Sequence, residues 1–305
     1  MMRNTKAVRN TIVMNGKAVI FAAFAAAAAL ALSGCGSAGQ ENSEAENGRS
    51  GNVAAGASGT ETSGGAAADH LGRIREQGEL VVGLEGDWQP FSYHDEEDQL
   101  VGFDVEVAGE LAERMGVSVR LVEGPWDGLF AGMDSGRYDI VVNGVDVTEE
   151  RQKSYDFSEP YAYDRPVLIV AEDNADITSF EDLKGRTTAN SIGSTYQELG
   201  EQYGAQVSGV DTLVETLQMV MNGQVDATIN AATSFGDYMK AVPDAPLRIA
   251  AVSETATAYA IPMTKGEDNA ALRVEIDRIL SEMREDGTLS SLSEKYFGAD
   301  LTQDN

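Results

Sequence analysis

From residue 79 onward the apolar positions alternate between a strand-like run and a helical spacing. The stretch "ELVVGLE" (79–85) is a short apolar run of the buried-strand type. The next, "FDVEVAGELAERMG" (103–116), places Val105, Ala108, Leu111, Ala112 and Met115 on one helical face, with Asp104 as the expected N-cap and Gly116 as the stop. A strand returns in "SVRLVEG" (118–124), and "WDGLFAGMDSGRYDIVVNG" (126–144) supplies a helix, a glycine and another strand. Strands that alternate with helices in this way predict an α/β fold built on parallel sheet.

The last of these units recurs. "MDSGRYDIVVNG" (133–144) aligns with "VMNGQVDATINA" (220–231), so that Gly136 matches Gly223, Asp139 matches Asp226 and Asn143 matches Asn230. Each copy is an amphipathic helix stopped by glycine, one intervening residue, and an apolar-Asp pair that opens a strand. Such units are common in α/β chains, yet the repeat predicts two related lobes. Open parallel sheets bind ligands beyond the carboxyl ends of their strands. Those ends are Asn143-Gly144 in one lobe and Asn230-Ala231 in the other, which would face each other across a cleft. "VVNGVDVTEER" (141–151) would line it, bringing Asp146 and Arg151 to the end of an apolar strand. A surface ion pair is the alternative reading of these two residues.

Upstream, the pattern changes character. Arg3, Lys6, Arg9 and Lys17 precede "AVIFAAFAAAAALAL" (18–32) and then "SGC", so residues 1–35 are expected to be a signal peptide. Leu32, Ser33 and Gly34 before Cys35, the one cysteine of the chain, resemble the bacterial lipobox, which makes Cys35 the expected lipid anchor. A transmembrane anchor or a free thiol is the alternative, and the apolar run is shorter than the ~20 residues a span needs. Residues 36–69 are mostly Gly, Ser, Ala and Glu; too few large apolar side chains remain to offset backbone ordering, which predicts a flexible tether. Removing the four bases of the leader takes the formal charge from −28 to −32. That charge argues against nucleic acid and against anionic lipid as direct partners. It does not by itself call for a cationic ligand, because runs such as "DEEDQ" (95–99) read as solvated loops.

The motifs "GFDVEVAGELAERM" (102–115), "EGDWQPF" (85–91), "PWDGL" (125–129), "TEERQKSYDFSEPY" (148–161), "SFEDLKG" (179–185), "GSTYQEL" (193–199) and "MREDGTLSSLSEKYFG" (283–298) resemble those of family 3 extracellular solute-binding proteins, the receptors of polar amino-acid ABC importers. The likeness spans about residues 71–301. "LSEKYFGAD" and "KSYDFSEPYAY" look most like the cystine-binding branch. The resemblance implies a two-lobed α/β fold of the type II periplasmic-binding-protein class, with a hinge and an interlobe ligand cleft. Lobe 1 would comprise residues 70–163 and 258–305 and lobe 2 residues 164–257, with crossovers near Tyr161–Pro166 and Ala256–Tyr259. It further implies a lipid-anchored, extracytoplasmic monomer without a cofactor, taking a free polar amino acid, with cystine the candidate, and delivering it to a membrane permease.

Site residues follow from the same resemblance. Arg151 occupies the carboxylate-clamp position, and a planar guanidinium matches two carboxylate oxygens. Gly193, Ser194 and Thr195 open a helix whose free N–H groups favour an anion, so Thr195 is expected to add a second grip; alone, "GST" is an ordinary capped helix start. Trp88 and Trp126 are expected to flank the ligand side chain, core packing being the alternative for each. Gly144, Glu85, Asn190, Ser191, Asn230 and Thr233 are expected to add backbone or polar contacts. Many relatives carry an aspartate for the ligand's α-ammonium where this chain has Ala231, and a buried ammonium without a counter-charge is costly. Asp146 is the expected substitute, unless it only orients Arg151.

Two other functions compete. An enzyme on this fold, such as a dehydratase, would need catalytic groups; His70 follows the tether and His94 lies in an acidic loop, neither in a motif for acid–base work, and no Ser-His-Asp or metal-ligand pattern occurs. A sensor ectodomain that reports amino acids without import is the third class, separated from a transporter receptor by uptake loss on deletion.

Overall fold

The computed structural model describes residues 68–304. The leader, Cys35 and the tether up to residue 67 lie outside the described residues. Asp69, expected at the end of the tether, instead caps the first helix, His70–Gln77, by accepting the Gly72 N–H.

The molecule is bilobed, with one main sheet in each lobe and smaller antiparallel sheets beside them, one of which joins Asp87–Trp88, Ser92–His94 and Leu100–Val101. The first sheet is parallel, with strands ordered Ser118–Glu123, Glu79–Leu84, Ile140–Val141. The second has five strands in the order Gln206–Gly209, Thr187–Asn190, Ala227–Ala231, Pro166–Ala171, Leu247–Val252. Its first three strands are parallel, but Pro166–Ala171 runs antiparallel to both neighbours. The expectation of parallel sheet therefore fails at one strand of the second lobe, which runs opposite to the other four. A continuous apolar run such as "PVLIVA" says that both faces are covered and carries no direction. Here Val167 and Ile169 pack with Leu217, Val220 and Phe235 on one face, while Leu168 and Val170 pack with Phe180, Leu183 and Ile229 on the other.

The recurring unit folds the same way twice. Gly136 and Gly223 both take positive φ, 72° and 66°. In each copy the residue after the glycine reaches back into the helix, Arg137 N–H to the Gly132 carbonyl and Gln224 N–H to the Met219 carbonyl, both at 2.9 Å. The aspartate then latches the neighbouring strand: Asp139 accepts the Val81 N–H at 2.8 Å and Asp226 the Thr187 N–H at 2.7 Å.

Asp104 is not the N-cap of its helix, which spans Phe103–Met115 and is preceded by Gly102 without a side-chain cap. The Phe103 and Asp104 N–H groups bond instead to the carbonyls of Pro90 and Phe91. That frees the Asp104 side chain to turn inward, where it is fully buried and accepts the Tyr161 hydroxyl at 2.7 Å.

The chain passes between the sheets twice, and the two passages pair as antiparallel strands, Ala162–Asp164 with Thr257–Tyr259. The final helices, Ala270–Glu285 and Thr288–Phe297, return to the first lobe, where Ile276, Leu280 and Leu289 share a core with Phe103, Leu111 and Ile140.

Candidate functional site

Between the lobes lies a cavity of about 50 Å³, lined by residues of both lobes. Its first-lobe wall is the loop after the Ile140–Val141 strand. Gly144, at φ 51°, donates its N–H to the Tyr161 hydroxyl at 2.9 Å, and that hydroxyl donates to Asp104. Backbone bonds from Val147 N–H to the Ala258 carbonyl and from Ala260 N–H to the Val145 carbonyl hold the loop against the second passage between the lobes.

Asp146 sits at the centre of this loop and is buried. Its Oδ2 accepts the Thr195 hydroxyl from the opposite lobe, while Oδ1 is fully buried with no partner. Burial pushes its carboxyl up to about 6, against the opposing pull of the Arg151 guanidinium and the Thr195 hydroxyl. Arg151 belongs to the short helix Glu149–Ser154, capped by the Thr148 hydroxyl oxygen, which accepts the Arg151 N–H at 3.1 Å. Its guanidinium is 3.9 Å from Asp146 Oδ2 and donates to two carbonyls, Asp146 at 3.0 Å and Gly193 of the other lobe at 3.1 Å. It lies 5.2 Å from the centroid of the Trp126 ring and 5.4 Å from that of Phe130, within cation–π reach.

Trp88 stacks on Phe91, with ring centroids 4.1 Å apart, and its Nε1 points to Asn230 Oδ1 at 3.4 Å across the cleft. Glu85 is buried beside Asn143, whose Nδ2 donates to its carboxylate at 2.7 Å and whose Oδ1 accepts the Glu85 N–H. Burial raises the Glu85 carboxyl to about 7 despite that bond. From the second lobe, Ser194 caps the Thr195–Gln202 helix by accepting the Gln197 N–H, which leaves the first N–H groups of that helix at the cavity.

Of the residues named from sequence, the structure brings Glu85, Trp88, Trp126, Gly144, Asp146, Ser191, Thr195 and Asn230 to the cavity. Arg151 is not among the lining residues; it stands behind Asp146, engaged with the two carbonyls. Asn190 and Thr233 also stay out of the cavity. The Asn190 amide donates to the Ile229 carbonyl at 2.7 Å, and the Thr233 hydroxyl donates to Asp164 at 2.5 Å, so both tie the second lobe together internally. Asp87, Tyr196, Asp211, Thr212 and Leu213 line the cavity without having been singled out. The repeat held the signal for the last three: the register that aligns Gly136 with Gly223 also carries Trp126 onto Leu213 and Pro125 onto Thr212, so the helix starts of both lobes face the same space.

A buried acid, a nearby arginine and a helix start from the opposite lobe converge on one interlobe cavity, and residues 80–299 match the model of the bacterial extracellular solute-binding proteins, family 3. The chain belongs to that family. It is thus a receptor of the amino-acid-binding class that serves ABC importers, acts outside the cytoplasm, and is not an enzyme. Among its relatives, the L-cystine-binding protein TcyA of Bacillus subtilis (strain 168) is 37% identical over 288 residues, covering 94% of this chain and all of that protein. The structure of an ancestral arginine-binding protein bound to arginine is 35% identical with a TM-score of 0.68, over 72% of this chain and 99% of that one. The L-cystine solute receptor of Neisseria gonorrhoeae, in its unliganded open conformation, is 37% identical but superposes at only 0.52, over 76% and 97% of the two chains. In this chain Trp88 contacts Asn230, Thr195 contacts Asp146, and Arg151 contacts Gly193 directly between the lobes.

Proposed function

We propose that this solute-binding protein is anchored through a lipid on Cys35, captures a free polar amino acid between its lobes, and presents it to the membrane permease of an ABC importer as a monomer. The lobes are residues 70–163 with 258–305, and 164–257; the paired strands Ala162–Asp164 and Thr257–Tyr259 are the hinge about which they close. Asp146 is the counter-ion of the ligand's α-ammonium. Arg151 holds the α-carboxylate after exchanging its bond to the Gly193 carbonyl, and Thr195 with the N–H groups of its helix completes that grip. Trp88 and Trp126 flank the side chain, with Glu85, Gly144, Ser191 and Asn230 around it. Cystine is the candidate ligand, on the strength of the L-cystine-binding relative.

One observation carries this reading: a buried carboxylate oxygen of Asp146 has no partner at a cavity wall. A buried carboxylate oxygen left without a hydrogen bond is costly, and a ligand ammonium is a group that would satisfy it. A thermal-shift panel of the amino acids with cystine tests the reading, since a ligand at about 100 times its dissociation constant adds roughly 2.7 kcal/mol to apparent stability. If no amino acid in the panel raises the melting temperature, the reading is wrong.

A further inference from the structure

The stretch "GFDVEV" (102–107) supplies no residue to the cavity wall, yet it buries an acid behind it. Asp104 is fully buried; its Oδ1 accepts the Tyr161 hydroxyl at 2.7 Å, and its Oδ2 has no hydrogen-bond partner. Burial pushes the carboxyl up to about 7, against the pull of the Tyr161 hydroxyl and the Gly144 N–H. An acid so placed is costly to the fold, and what it supports lies at the site.

Tyr161 is fully buried as well and is held from two directions. Its N–H donates to the Tyr259 carbonyl at 2.8 Å, where the paired strands Ala162–Asp164 and Thr257–Tyr259 begin the passage between the lobes. Its hydroxyl oxygen accepts the Gly144 N–H at 2.9 Å while giving its own proton to Asp104. The acid sets that direction: an acceptor at Asp104 keeps the phenol proton turned away from Gly144 and leaves a lone pair for the Gly144 N–H. An alkyl group there would free the proton to turn and set two donors against each other. Gly144, at φ 51°, has the Trp88 ring packed against it and Asp146 two residues further on.

We infer that Tyr161 and Asp104 are positioning residues for ligand binding: the acid orients the phenol, and the phenol holds the Gly144 turn, so that Trp88 and Asp146 stand in place before a ligand arrives. The inference rests on the amino-acid reading above and extends it from residues at the cavity to a pair behind its wall. Because Tyr161 also opens the passage between the lobes, one phenol ties the binding loop to the segment about which they close.

The test separates affinity from stability. Tyr161→Phe removes one oxygen and both of its bonds, Asp104→Leu removes the acceptor, and Asp104→Asn keeps an acceptor for the phenol. Each variant and the unaltered protein are titrated calorimetrically with the amino acid that gives the largest thermal shift, at a temperature where circular dichroism shows all of them folded. Tyr161→Phe and Asp104→Leu are expected to bind at least about fivefold more weakly, and Asp104→Asn to within about twofold of the unaltered protein. Asp226→Asn, which loosens a strand latch inside the second lobe, is expected to lower the melting temperature without changing affinity and so calibrates a purely structural loss. If Tyr161→Phe melts lower yet binds as tightly as the unaltered protein, the inference is overturned while the amino-acid reading stands. The same holds if Asp104→Asn weakens binding as much as Tyr161→Phe, and these two variants decide alone if Asp104→Leu does not fold. Failure of the unaltered protein to bind any amino acid removes both readings.

Discussion

Gly144→Ala puts the geometry of the cleft wall to a quantitative test. Gly144 sits at φ 51°, and an added Cβ would lie 2.6 Å from Cζ3 and 2.7 Å from Cη2 of Trp88. Trp88 has little room to yield, being stacked on Phe91 and linked to Asn230. The left-handed backbone costs an L-residue about 1–2 kcal/mol, and overpacking against a rigid ring costs about 1–3 kcal/mol more, a total of about 2–5 kcal/mol. At roughly 2–4 °C per kcal/mol for a domain of this size, the melting temperature should fall by roughly 4–20 °C. The control is Gly136→Ala, which has a similar backbone at φ 72° but open space around the new Cβ, so it should incur the backbone cost alone. Thermal denaturation followed by far-ultraviolet circular dichroism compares the two. If Gly144→Ala is no more destabilised than Gly136→Ala, Trp88 does not pack on the Gly144 turn as described.

Three further outcomes are expected. Arg151→Ala should weaken amino-acid binding by about 2–5 kcal/mol, the cost of removing one partner of a buried charge pair; calorimetric titration of a folded variant with unchanged affinity would remove the clamp. Asp146, whose carboxyl burial raises from 3.8 to about 6, should make binding pH-dependent: the α-ammonium needs the ionised acid, so affinity is full above about 6 and falls up to about tenfold per unit below it. The same raised value makes ionised Asp146 unfavourable in the unliganded fold, so its contribution to stability declines as pH rises from 3.8 through about 6; affinity that stays flat between pH 8 and 5 would contradict this. Cys35→Ser should release a folded, ligand-binding protein from the membrane fraction, and membrane retention on fractionation would refute the lipid anchor.

The parts of this fold that local chemistry dictates were legible in the sequence. Gly136 and Gly223 stop their helices with the same backbone bonds, and Asp139 and Asp226 latch strands in the same way, because positive φ and a short acid suit few other local arrangements. What the pattern could not carry was direction and partnership. Pro166–Ala171 gave no sign that it runs antiparallel to both neighbours, and Asp104 read as a cap although Tyr161, far along the chain, claims its carboxylate. At the site, Asp146 was visible as an acid after a strand, whereas Trp88 was named from the family resemblance alone. Asp87 and Asp211 were not visible, since exposed acids in an acidic chain look like solvated surface until two lobes bring them to one cavity.

In the proposed complex the loop after the Ile140–Val141 strand presents opposite charges to opposite ends of one zwitterion, Asp146 to the ammonium and Arg151 to the carboxylate. The rival assignment, in which Asp146 only orients the arginine, draws on the 3.9 Å separation of the two side chains and the bond from the guanidinium to the Asp146 carbonyl. The most direct measurement is the affinity of Asp146→Asn, relative to the unaltered protein, for the bound amino acid and for its analogue lacking the α-amino group. A counter-ion at Asp146 entails a large loss for the amino acid and little or none for the analogue; equal losses for both ligands would reject that role.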